Sequence, residues 1–142
     1  MSSPVPLSLR VRAFIAATVI PPLLSTVSFG RLCVWLDRRA PSPVASPIDP
    51  AAVAAWVDRL LYALPGPWRH SCLKRSAILY HLFRRAGLPI ELCIGVRRGP
   101  AGDLTAHAWL MREGAPYLER EASPSASHTP IARFPERREP TS

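Results

Sequence analysis

The chain has 142 residues, a length that suits one small domain rather than a multidomain machine. Hydrophobic residues make up 48%, enough for a packed core, and 17 prolines exclude a coiled coil while pointing to extended linkers and ends. Lysine and arginine number 18 against 10 acids, net +8, but the arginines are spread along the chain. That charge reads first as a solvated basic surface, next as a docking surface for acidic partners, and last as nucleic-acid recognition.

Residues 1–45 form an apolar arm and the start of a linker. Arg10 and Arg12 precede an apolar run from Ala13 to Phe29, an order that imitates a signal peptide. Pro21 and Pro22 interrupt it, and the uninterrupted apolar stretch Ala13–Leu24 is too short to span a bilayer. The pattern predicts a helix to about Val19, a break at the prolines and a second helical piece through Trp35. A core-packing role is favoured over contact with a membrane surface or partner, and over a cleaved signal. The segment 40–50, APSPVASPIDP, is an extended linker.

Residues 46–122 carry the regular pattern. Asp49 reads as an N-cap with Pro50 at the first helical position. Val53, Trp56, Val57, Leu60, Leu61 and Leu64 follow at helical spacing until Pro65-Gly66-Pro67. Ser71 opens the next helix, with Cys72 in its first turn, Arg84 and Arg85 in its last and Gly87 at its stop. From Ile90 to Val96 apolar and other residues alternate, predicting a strand. Strands are also predicted over 104–111 and 115–121, so helices followed by strands make an α+β chain. Residues 123–142 read as a Pro-rich, mostly disordered tail, with Ile131 and Phe134 as anchors.

Three cysteines, Cys33, Cys72 and Cys93, cannot make a full disulfide framework, and no CxxC or HExxH motif occurs. A reducing, cytoplasmic compartment and no metal or cofactor are expected. Cys72 stands where backbone N–H groups at a helix start favour a thiolate and can hold an oxyanion. Cys33 and Cys93 read as small buried side chains.

A thiol nucleophile needs a base, and the base needs a third group to fix its tautomer. His107 lies between small residues in a strand, with Trp109 on the same face. A three-residue loop Arg112-Glu113-Gly114 would pair Met111 with Ala115, Trp109 with Tyr117 and His107 with Glu119. A two-residue turn would instead oppose His107 with Arg120. His70 competes as the base and Asp103 as the orienting acid. The bland alternative is a structural histidine and a core cysteine.

The segment 72–119 resembles the transglutaminase-like, papain-related core of lasso peptide biosynthesis B2 proteins. The resemblance rests on CLKRSAILYHLFRRAGLP at 72–89, IGVRRG at 94–99 and AHAWL at 106–110. It implies a compact α+β core, with a catalytic helix on a small antiparallel sheet, preceded by the helical arm. It implies a cysteine peptidase removing the leader from a lasso precursor peptide, with Cys72 as nucleophile, His107 as general base and acid, and Glu119 as orienting acid. The family usually has Asp at the last place. The implied partners are a B1-type leader-recognition protein and an asparagine-synthetase-like macrolactam cyclase, which would use the ATP. A non-catalytic module of the complex, or another transglutaminase-like amidase or acyltransferase, is the alternative.

Overall fold

A computed structural model of the chain describes residues 5–26, 31, 49–64, 72–119 and 127–134. Among the described residues three long helices, α1 (Leu7–Thr26), α2 (Pro50–Ala63) and α3 (Cys72–Arg85), precede four strands, β1 (Ile90–Arg98), β2 (Leu104–Arg112), β3 (Ala115–Tyr117) and β4 (Thr129–Phe134). The strands form one antiparallel sheet in the order β3-β2-β1-β4.

The local signals at α2 act as expected. Asp49 Oδ1 accepts hydrogen bonds from the N–H groups of Ala51 and Ala52 at 3.1 and 3.3 Å, with Pro50 in the first turn. Val53, Val57 and Leu61 are then buried on one face. The breaker at 65–67, Ser71 and His70 lie outside the described residues.

α1 departs from expectation. It does not stop near Val19 but runs through Pro21 and Pro22 to Thr26. Proline's fixed φ suits a helix; what is lost is the pair of N–H donors that would reach back one turn. The helix is held from the side, since Ala13, Ala16, Ala17 and Ile20 pack into the main core. The second helical piece expected toward Trp35 falls outside the described residues.

The core lies between the helices and one sheet face. Ile90 and Leu92 of β1, and Ala108 and Leu110 of β2, meet Ala77, Ile78, Tyr80 and Phe83 of α3. On the opposite face Cys93, Trp109 and Met111 form a smaller buried group. The period-2 alternation read from the sequence sorts these residues correctly.

The tail needs correction. Residues 129–134, expected to be mostly disordered, form edge strand β4 against β1, pairing Leu92 with Phe134 and Val96 with Thr129. Phe134 packs toward the core, whereas Ile131, the other expected anchor, is 63% exposed. The β1–β4 register shifts between Ile94 and Gly95, where Ile131 is the unpaired residue. Pro130 is tolerated because β4 is an edge strand.

Candidate active site

Cys72 is the first residue of α3 and is half-buried. No acidic side chain lies in the first turn of α3. That turn is clamped from three sides. Buried Arg75 donates through Nε to Asp58 Oδ1 of α2 at 2.8 Å, and through Nη2 to the Leu118 carbonyl at 3.0 Å. Buried Ser76 donates through Oγ to the carbonyl of Ala108 at 3.0 Å. Ser76 lies one turn after Cys72, and Ala108 directly follows His107. The two bonds thus tie the helix start to the strand carrying the histidine and to the chain just before Glu119.

His107 sits in β2 opposite Gly95 of β1. Its ring stacks on Trp109, with centroids 5.9 Å apart and planes 18° apart, and lies 5.4 Å from the ring of His128. The indole N–H of Trp109 points to Met111 Sδ at 3.1 Å, which fixes the ring beneath the histidine. Gly95 makes room for this stack. A Cβ there would come within 2.6 Å of Trp109 Cη2 and 3.0 Å of His128 Cβ.

Glu119 does reach His107, but not by the expected register. The β2–β3 turn has two residues, Glu113 at φ 54° and Gly114 at φ 79°, and pairs Arg112 with Ala115 and Leu110 with Tyr117. Both central residues are left-handed, as a tight hairpin of matching twist requires. The ladder then ends at Tyr117, short of the expected 121. Continued regularly, it would have opposed His107 with Arg120. Leu118 prevents this: its φ of 57° turns the chain out of the ladder. The result is His107 Nε2 facing Glu119 Oε2 at 3.6 Å.

Nε2 of His107 and Oε1 of Glu119 are both buried and without a hydrogen-bond partner. A small approach would satisfy Nε2 through Oε2, and Oε1 would still lack a partner. Burial raises the Glu119 carboxyl above its ordinary range, against the opposing pull of His107 and then Arg75. Nε2 is the ring nitrogen that faces Glu119, which leaves Nδ1 as the ring nitrogen directed away from that carboxylate.

The structure therefore brings His107 and Glu119 together. It makes no hydrogen bond between Cys72 and His107. Cys93 is fully buried, and burial raises its thiol above the ordinary value despite nearby Arg133, so it is an inert sulfur, as expected. Asp103, the competing acid, instead sits in the β1–β2 loop, where its backbone carbonyl accepts the N–H of Gly99 at 2.6 Å. His70 and Cys33 lie outside the described residues. Sequence reasoning missed the positioning roles of Arg75, Ser76, Gly95 and His128. The first two stand in the Cys-Leu-Lys-Arg-Ser run, where their types alone do not reveal their partners. Nothing near His128 in the sequence announced a strand.

A family model described as the transglutaminase-like superfamily matches residues 16–133, from within α1 to within β4. Comparison with curated proteins and with solved structures gives no match. No described helix is long and apolar enough to cross a membrane.

Proposed function

The chain belongs to the transglutaminase-like superfamily, and on that premise we propose that it is a cysteine peptidase that removes the leader from a lasso precursor peptide. The superfamily is compatible with peptidase or acyltransferase chemistry at a cysteine. The observation that carries the reading is the contact of His107 Nε2 with Glu119 Oε2 at 3.6 Å, on the strand to which the first turn of the Cys72 helix is bonded. The lasso assignment rests on the motifs at 72–89, 94–99 and 106–110.

Glu119 holds the imidazole so that Nδ1 takes the thiol proton. The Cys72 thiolate adds to the scissile carbonyl, forming a C–S bond and an oxyanion that the backbone N–H of Cys72 helps to hold. As the C–N bond breaks, the imidazolium gives its proton to the departing amine of the core peptide. His107 then takes a proton from water, the hydroxide attacks the thioester, and the leader leaves as a carboxylic acid with the sulfur restored. The freed amine is the group that a macrolactam-forming cyclase consumes. A leader-recognition protein and that cyclase are the proposed partners, and cytoplasm the proposed compartment.

The lack of a Cys72–His107 hydrogen bond favours a second reading, a binding module that keeps the shell without the reaction. Mass spectrometry separates the two. A candidate precursor incubated with this protein and its recognition partner should lose its leader with wild type. Cys72→Ala and His107→Ala should each remove cleavage while circular dichroism stays unchanged. Normal cleavage by either variant would refute the assignment, and no cleavage by wild type would favour the module.

A further inference from the structure

A second recognition surface lies on the helical layer, apart from the residues above. Arg10 of α1 and Arg59, Trp56 and Leu60 of α2 line a cavity of about 390 Å³. Both guanidinium groups are exposed, and neither has an ion-pair partner among the described residues. On α1, Leu7 and Phe14 stand three before and four after Arg10, so they share its side of the helix. They are 76% and 50% exposed, and Val11 beside them is 50% exposed. The groove thus joins two cations without an ion-pair partner among the described residues, an aromatic side chain and an apolar ridge.

We propose that this groove docks an acidic peptide segment that carries an apolar side chain. Planar guanidiniums grip carboxylates by paired hydrogen bonds, and the apolar walls strengthen that contact by excluding water. Trp56 and Leu60, both half-buried against the core, give the depression an apolar side for an aliphatic or aromatic anchor. The depression is wide open on its outer side, which suits a peptide laid along the surface rather than an enclosed ligand. Charge complementarity favours this occupant, since the chain carries net +8. A lipid surface is the weaker fit. A bilayer would rest on the convex ridge of Leu7, Val11 and Phe14 and would need no concave cavity behind it.

The site does not depend on chemistry at Cys72, so the two readings fail separately. The test uses the full chain and a labelled peptide of about twelve residues alternating Glu and Leu, followed by fluorescence anisotropy. The control peptide has Gln for every Glu. Wild type and Cys72→Ala should bind the acidic peptide equally and at least about tenfold more tightly than the control. The double variant Arg10→Gln/Arg59→Gln should lose about tenfold in affinity. The charge-matched variant Arg97→Gln/Arg98→Gln, altered at exposed positions of β1, should bind as wild type does. Equal losses in both double variants would reduce the binding to net charge and overturn the proposal. So would unchanged peptide binding in Arg10→Gln/Arg59→Gln. Phosphatidylglycerol vesicles should bind both double variants alike, and a vesicle-specific loss in Arg10→Gln/Arg59→Gln would assign the surface to lipid instead.

Discussion

The two faces of the sheet are built from the same strands yet hold different chemistry. Toward the helices, Ile90, Leu92, Ala108 and Leu110 close a continuous apolar core with α3. On the other face the same strands present Cys93, Trp109 and Met111, with His107 stacked at the end of the row and His128 beside it. Alternation every second residue lets one strand supply both. The first face can be filled by any well-packed apolar set. The second depends on individual shapes, because an imidazole must be held at one angle against a carboxylate.

Substitutions on the two faces should therefore separate stability from activity. Phe83 is fully buried on the helix side and meets Tyr117 edge-on at 6.3 Å. Phe83→Ala should cost about 3–5 kcal/mol in urea unfolding, while the folded fraction keeps its specific activity. Equal losses of both would show that the two faces are not independent.

Gly95 on the other face should reverse the pattern. Gly95→Ala forces a Cβ into the Trp109 ring, a clash typical of overpacking that costs about 1–3 kcal/mol. Because Trp109 supports the His107 ring, kcat should fall while KM holds. An unchanged kcat would mean that the stack does not position the histidine.

Glu119→Gln should have the smallest effect on the fold, and in the favourable direction. Burial raises the carboxyl's pKa in the fold, so ionisation there is disfavoured. The stability contributed by this group is complete below its unfolded pKa and is lost as pH rises through the folded one. The variant and wild type should thus melt together at low pH, and the variant should melt slightly higher as pH rises. Turnover should fall at the same time, because an amide orients an imidazolium poorly. A variant that melts lower at high pH would show that the ionised carboxylate is net stabilising.

Local chemistry was legible in the sequence where a residue acts on its neighbours. Asp49 and Pro50 start α2, and the alternation from Ile90 sorts β1 between two faces. Both follow from spacing along one segment. The identities of His107 and Glu119 as partners were legible, but the route joining them was not. A three-residue loop and a two-residue turn are both open to Arg112-Glu113-Gly114, and only the left-handed backbone of Leu118 reconciles the shorter turn with the contact. Leucine gives no local sign of that conformation. β4 was hidden for a different reason. With Pro130 inside it and Ile131 bulged outward, it has no alternation of its own, and it exists because β1 pairs with it.

The most direct test of the central claim is the pH dependence of iodoacetamide alkylation at Cys72, followed by peptide mass mapping in wild type and His107→Ala. Coupling of the sulfur to the imidazole predicts rapid labelling of wild type at pH 6, with buried Cys93 untouched, and loss of that rapid labelling in the variant. A wild-type rate that rises only near the ordinary thiol pKa of about 8.5, and matches the variant throughout, would contradict a Cys72–His107 catalytic pair.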